Sequence, residues 1–210
     1  MTRYIAITDI HGERAKLDNL LSKIEFYPTD TIVFMGDYID RGPDSKGVVD
    51  TIIDLGNRYN CIYLIGSHEY ALLHSKDDDY YQFLFDNYGG PATERSYGGF
   101  NNIFKTHGEF FKSLKFYYLT DKYLFVHAGI NPDYPLNAQN EVDLVYIRGK
   151  FIYSKHNLPQ KIIFGHTEFD KPYIDEGKIG IDLGCGKYRH AKLCALILNK
   201  DGQEDFVYSD

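Results

Sequence analysis

Five short clusters of acid, imidazole and glycine recur along the 210-residue chain, each at the end of an apolar run. Asp9-Ile10-His11-Gly12 comes first. In extended backbone, residues two apart point the same way, so Asp9 and His11 can clasp one cation. Gly12 lets the backbone turn close to it. Taken alone, these four residues read as no more than a strand-end cap. Gly36-Asp37-Tyr38-Ile39-Asp40-Arg41-Gly42 is more specific, with two acids and an arginine on one glycine-flanked turn. A carboxylate such as Asp37 can bridge two cations, and Arg41 offers a planar fork to a phosphate. In Gly66-Ser67-His68-Glu69, His68 reads as a general acid that protonates a leaving alkoxide. Asp40 would hold its ring and raise its pKa. His127 and His166 stand at two later strand ends. Either alone is an ordinary polar residue; beside the other clusters both read as metal ligands.

The elements that must position these groups follow from hydrophobic periodicity. Arg3–Thr8, Thr31–Met35 and Cys61–Ile65 read as buried strands. Glu13–Ile24 carries Ala15, Leu17, Leu20, Leu21 and Ile24 at helical spacing. Ser45–Leu55 does the same with Val48, Val49, Ile52 and Ile53, and a third helix is expected from Glu69. Strand, polar cluster and helix thus repeat three times, the alternation of an α/β layered sheet in which sites gather at the carboxyl ends of strands. The middle is less regular. Asp77–Tyr81 is acidic and aromatic, Gly89-Gly90-Pro91 and Gly98-Gly99 bracket Ala92–Tyr97 as a loop, and Asn101–Leu114 is helical in pattern. Strands resume at Tyr123–Val126, Lys161–Phe164 and Lys178–Ile181. Leu193–Leu198 and Phe206–Tyr208 are expected to close a sheet antiparallel. One domain over residues 1–210 is the simplest organisation, with a cap-like insert at 75–113 facing the substrate.

Composition narrows the partners. Apolar residues make up 43% and charged residues 25%, as in a globular protein. The net charge of −7, with no basic cluster, disfavours nonspecific nucleic-acid binding. No apolar run is long enough for a transmembrane helix, so no membrane partner is expected. The start of the chain runs straight into a strand without a signal-peptide pattern. The three cysteines are widely spaced and form no CxxC pair, consistent with reduced thiols. A cytoplasmic protein is the expectation. There are 19 tyrosines and no tryptophan, and the pairs Tyr80–Tyr81 and Tyr117–Tyr118 are expected to be half-buried packing residues, with a binding surface the alternative reading.

In order and spacing, these clusters resemble the PPP family of serine/threonine phosphatases, more closely the small bacterial and phage branch of the calcineurin-like metallophosphoesterases. The family's motifs run GDxHG, GDxxDRG, GNHE, HGG or HAG, and a later GH. This chain reads TDIHG at 8–12, GDYIDRG at 36–42, GSHE at 66–69, HAG at 127–129 and GHT at 165–167. The resemblance covers nearly the whole chain and is weakest over the 75–113 insert. It implies a β-sandwich of two mixed sheets flanked by helices in α-β-β-α layers. It implies that Asp9, His11 and Asp37 hold one metal, and that Asp37 bridges to a second held by His127 and His166. Asp40 and His68 become the acid pair, and Arg41 binds the phosphoryl oxygens. Arg148, in Tyr146-Ile147-Arg148-Gly149, stands where that branch has a second phosphate-binding arginine.

Two positions depart from the pattern. Thr8 replaces a glycine, a minor change. Ser67 stands where the family has an asparagine whose side-chain carbonyl ligates the second metal. A serine hydroxyl is a weaker donor and reaches about one bond length less, so a weaker second site and slower turnover are expected.

The activity implied is direct hydrolysis of a phosphomonoester. Two divalent cations about 3.5–4 Å apart would bridge the attacking hydroxide. Mixed nitrogen and oxygen ligation favours Mn²⁺, with Fe or Zn²⁺ next, over Mg²⁺ alone. The substrate would be a phosphorylated protein or peptide, or a small phosphoester. Dinucleoside polyphosphate hydrolases resemble this chain in the motifs but tend to depart from Asp-Arg-Gly and His-Glu. Protein phosphatase is therefore the leading expectation, a diadenosine tetraphosphatase-like enzyme the alternative, and a binding protein with an impaired second metal site the third.

Overall fold

The computed structural model describes residues 2–210. Its first third alternates strand and helix: β1 (Tyr4–Ile7), α1 (Arg14–Ser22), β2 (Thr31–Phe34), α2 (Ser45–Gly56), β3 (Asn60–Tyr63) and α3 (Ser67–His74). Three helices then follow one another: α4 (Asp79–Asn87), α5 (Gly90–Tyr97) and α6 (Phe100–Lys112). Next come β4 (Tyr117–Leu119), β5 (Tyr123–Val126), α7 (Glu141–Tyr146), α8 (Gly149–Ile152) and β6 (Lys161–Phe164). The chain finishes with β7 (Tyr173–Ile174), β8 (Lys178–Gly180), β9 (Cys194–Leu198) and β10 (Glu204–Tyr208).

Two five-stranded sheets result, in the orders β10-β9-β1-β2-β3 and β4-β5-β6-β8-β7. In the first, β1, β2 and β3 are parallel while β9 and β10 close it antiparallel. In the second, β5, β6 and β8 are parallel, with β4 and β7 antiparallel at the edges. Both sheets are therefore mixed.

Alternation along the strands sorts side chains into layers. Ile5, Ile7, Ile32 and Phe34 pack outward with Leu17, Leu20, Val48 and Ile52 of α1 and α2. Ala6, Val33, Met35, Phe125, Ile163 and Ile179 meet between the sheets. Leu124, Val126, Ile162 and Phe164 face out from the second sheet onto Leu144, Phe151 and Ile152 of α7 and α8. These strands are covered on both faces, which is why they read as continuous apolar runs. The outcome is the expected α-β-β-α fold.

One expectation is overturned. Ala92–Tyr97 is not a loop; it lies in α5. The flanking glycines and proline punctuate a short helix instead of replacing one. Gly89 is its N-cap, Pro91 occupies the first turn, where its missing N–H costs nothing, and Gly98 ends it in the left-handed conformation. The tyrosine pairs divide. Tyr118 packs its ring on Tyr4 and Phe125 as expected, whereas Tyr80 is 62% exposed. Among the described residues, no helix is long and apolar enough to cross a membrane.

Candidate metal centre and active-site cavity

The carboxyl ends of β1, β2, β5 and β6 meet at the seam between the two sheets. Just beyond them lie Asp9 and His11, Asp37 and Asp40, His127 and His166, while Ser67 and His68 open α3. All eight are buried. Asp37 lies at the centre. Its Oδ2 is 3.7 Å from His11 Nε2, 3.4 Å from His127 Nε2 and 4.0 Å from His68 Nε2. Two triads that could each hold a metal ion share it, His11–Asp37–His68 and Asp37–His127–His166, each with donor atoms within 4.8 Å of one another. Asp9 stands at the side of the first triad, its Oδ1 4.0 Å from His11 Nε2. Its Oδ2 is held by Thr8 Oγ1 at 2.6 Å and by the His166 N–H at 3.1 Å.

Two of the imidazoles are held through Nδ1 with Nε2 turned toward Asp37. His11 Nδ1 donates to Ile39 O at 3.0 Å and His127 Nδ1 donates to Met35 O at 2.9 Å. Each bond fixes the tautomer that turns an Nε2 lone pair inward, the usual support for a metal-bound histidine. His127 Nε2 is buried and has no hydrogen-bond partner among the described residues, although it faces Asp37. A buried polar atom without a partner is costly unless something fills the place beside it. The donor set, mixed imidazole and carboxylate around one shared Asp37, fits two divalent cations.

Electrostatics follow from burial and crowding. Burial, with the charges of His68 and Arg41, holds His11 well below the ordinary imidazole value. Burial, His127 and Arg148 do the same to His166. Burial pushes the Asp37 carboxyl upward, but His127 and His68 outweigh it and hold the group well below the usual carboxylate range. Neutral imidazoles, as at His11 and His166, and an ionised bridge are the states a cation needs. Burial lowers His127 too, but Asp37 and Asp9 outweigh it and push its pKa up to about 9, so a cation there would displace a proton.

His68 is built differently. Its Nδ1 donates to Asp40 Oδ2 at 2.6 Å, leaving Nε2 in the cavity, where Arg41 Nη2 donates to it at 3.2 Å. Burial opposes a charge on His68, yet Asp37 and Asp40 raise its pKa. Asp40 is itself fixed through Oδ1 by Thr93 Oγ1 at 2.6 Å. Ser67 Oγ lies 3.2 Å from Asp37 Oδ2 and 3.4 Å from His166 Nδ1, inside the second triad. Arg41 and Arg148 both line the cavity. Arg148 also donates to His166 O at 2.7 Å, so it braces that ligand loop.

Several contributors escaped the sequence reading. Glu69, named above only as part of a motif, accepts the N–H groups of Asp37 and Tyr38 at 2.8 Å each, Gly66 at 3.1 Å and Ile39 at 3.3 Å. It ties the second and third clusters together. The two loops touch so closely that a Cβ on Gly66 would fall 2.2 Å from Asp37 N. Thr8 supplies a hydroxyl to Asp9 that a glycine could not. Tyr146 donates to Ser67 O at 2.9 Å and, with Glu168 and Asp182, lines the cavity. Gly186, at φ +75°, presses on the first site; a Cβ there would sit 2.5 Å from His11 Cβ.

Among the described residues, the non-glycine positions with positive φ are Asp9, His11, Asp37, Asp40, Arg41 and His166. Every one belongs to the site. Left-handed backbone is unfavourable for such residues and persists where surrounding packing enforces it. The strain aims six functional side chains at one point.

Comparison with known proteins agrees with this architecture. The profile of the calcineurin-like phosphoesterase family matches residues 2–202. The asymmetrical bis(5'-nucleosyl)-tetraphosphatase PrpE of Anoxybacillus flavithermus is 25% identical over 217 residues, covering 87% of this chain and 85% of its own. A solved structure described as a candidate diadenosine tetraphosphatase superposes with a TM-score of 0.69 at 23% identity, covering 99% of this chain and 94% of its own. A serine/threonine phosphatase from Saccharomyces cerevisiae, with similarity to human phosphatase PP5, gives a TM-score of 0.73 at 17% identity, covering 100% of this chain and 80% of its own. At these identities the two structures bear on the fold.

Proposed function

The chain belongs to the calcineurin-like phosphoesterase family, and from that premise we propose that it is a metal-dependent hydrolase of dinucleoside polyphosphates. The observation that carries the hydrolase reading is Asp37, one ionised carboxylate facing the Nε2 atoms of His11, His68 and His127. In this reading Asp9, His11 and Asp37 hold one cation, and Asp37, His127, His166 and Ser67 the other, with Mn²⁺ the best match to the donors. Bound cations would supply Lewis-acid charge for the phosphoryl oxygens and lower the pKa of water.

The chain's own side chains do the rest. Arg41 and Arg148 orient the phosphoryl group from the cavity walls. Arg41 then turns from His68 to the substrate and frees Nε2 to take up a proton, which the neighbouring Asp37 and Asp40 carboxylates favour. Attack by water on phosphorus breaks the bond to the leaving oxygen, and the Nε2 proton passes to that oxygen. Asp40 accepts from Nδ1–H, so it steadies the doubly protonated ring and keeps Nε2 turned to the leaving oxygen.

The substrate assignment rests on the relative named as a bis(5'-nucleosyl)-tetraphosphatase, which matches along most of both chains. A second reading, phosphoprotein phosphatase, is favoured by the His68–Asp40 pair, since an alkoxide needs a proton more than a polyphosphate does. The retained Asp-Arg-Gly and His-Glu motifs point the same way. Segment 75–113 serves in either case as the cap that shapes the substrate's approach. Three free thiols suit a reducing cytoplasm.

Assaying diadenosine tetraphosphate beside a phosphoserine peptide, with added Mn²⁺, separates the readings. Higher kcat/KM on the dinucleotide is expected. Preference for the peptide would install the second reading. Inactivity on both, with less than one metal bound per chain, would leave a binding protein.

A further inference from the structure

One wall of the cavity is aromatic, and no metal or phosphate requires it. Tyr80, Leu84 and Tyr88 all line it, with Phe85 beside them. The first three are spaced four residues apart on α4 and at its end, so they form a single stripe along one helix face. That stripe runs about 12 Å at the α-helical rise. Although they border an active-site cavity, Tyr80 is 62% exposed and Tyr88 56% exposed. Phe85, by contrast, is buried and anchors the helix.

The stripe is fixed relative to the chemistry at both ends. Just after Tyr88, Gly89 O accepts the Arg41 N–H at 3.2 Å. At the other end Tyr80 packs edge-on to Tyr81 at 5.4 Å, Tyr81 on Tyr70 at 5.4 Å, and Tyr70 on Tyr146 at 6.2 Å. Tyr146 in turn stands 6.1 Å from the ring of His166. A ladder of rings thus leads outward from the second triad to Tyr80.

Direction follows from His68. A general acid must reach the leaving oxygen, so the departing group lies on the His68 side of the phosphorus. Ala71, one turn further along α3, lines the cavity there, and α4 packs against α3. The departing group therefore passes along the aromatic stripe. We propose that the α4 stripe of Tyr80, Leu84 and Tyr88 is a binding site for the nucleobase of the leaving nucleotide. Flat π faces beside an apolar side chain match a purine, and stacking of this kind is tolerant of which base arrives. The inference rests on the nucleotide reading of the site but is tested without turnover.

Calorimetric titration of the Mn²⁺-loaded protein with AMP and with ribose 5-phosphate isolates the base, because the two ligands share the phosphate and sugar. AMP is expected to bind at least about tenfold more tightly, the ratio that one stacked base supports. In the double variant Tyr80→Leu/Tyr88→Leu, which keeps apolar bulk at two exposed positions, that ratio is expected to fall toward one while ribose 5-phosphate affinity stays unchanged. Equal affinities in the parent protein, or an undiminished ratio in the variant, would overturn the proposal. A phosphotyrosine peptide whose binding depends on Tyr80 and Tyr88 when that of AMP does not would overturn it too. Failure to hydrolyse diadenosine tetraphosphate, with the AMP preference intact, would remove the substrate reading and leave the base site standing.

Discussion

Glu69 Oε2 accepts the backbone N–H of Asp37 at 2.8 Å, so the residue that both ligand triads share is held by a carboxylate from the next motif. Glu69→Gln replaces one accepting oxygen with an NH2 group that can only donate. With this support weakened, Mn²⁺ affinity is expected to fall about 10- to 100-fold, as for other supports of metal ligands, with an unchanged far-UV spectrum. Titration with Mn²⁺ checks this; unaltered affinity would mean that the loops hold Asp37 without Glu69.

His68→Asn removes the proton donor and leaves the ligands centred on Asp37. On an alkyl phosphomonoester, kcat is expected to drop by about 10²–10⁴. A substrate with a good leaving group, such as an aryl phosphate or a polyphosphate, should lose much less. Equal losses across the series would assign His68 to metal ligation, which its place in the first triad also permits.

Ser67→Asn lengthens the side chain that already lies between Asp37 and His166. An amide carbonyl is a stronger metal donor than a hydroxyl and reaches about one bond further. Tighter binding of the second cation and faster turnover at limiting Mn²⁺ are expected. Metal content per chain, measured after dialysis, decides the matter; identical content in both proteins would show that Ser67 ligates adequately.

A pH effect on stability arises away from the metals. Burial, aided by the charge of Lys46, keeps His107 below the ordinary imidazole value despite Asp50 at 3.2 Å. The unfolded chain then takes up the proton first as pH falls. The stability associated with this residue is present above about pH 6.5 and is lost as pH drops below that toward the folded-state value. Denaturant midpoints measured between neutral and mildly acidic pH are expected to decline less in His107→Gln than in the parent. A slope unaffected by the substitution would move the cause elsewhere.

Gly186→Ala places a methyl group 2.5 Å from His11 Cβ on a backbone at φ +75°. Strain of about 1–3 kcal/mol is expected, together with displaced His11 and lost first-site metal. Thermal melting with and without Mn²⁺ reads both effects. A variant that melts normally and still gains stability from the metal would show that the loop gives way.

Much of this was legible in the chain because the chemistry sits in contiguous motifs at strand ends. Asp9, His11, Asp37, His127 and His166 each follow an apolar run, so placing the strands brought these five residues to one end of the sheets. What could not be read was orientation. Nothing in the letters of Asp40-Arg41 shows that both residues adopt left-handed backbone, since tertiary packing imposes it. The α5 error has a related cause. Glycine and proline terminate loops and helices alike, and only the contacts of Thr93 with Asp40 and of Ser96 with Lys46 N reveal a packed helix. Glu69 was visible as a letter, but its four N–H partners come from residues that a fold must first bring together.

The position of β9 has a consequence for how the protein is made. β1 lies between β2 and β9, and Tyr4 pairs with Leu198 in that register. While a ribosome is still adding the intervening chain, one edge of β1 remains a bare row of N–H and C=O groups, an invitation to foreign strands. Contacts so distant along the chain also slow folding. The sheet that carries Asp9 and His11 therefore closes only once β9 and β10 have emerged.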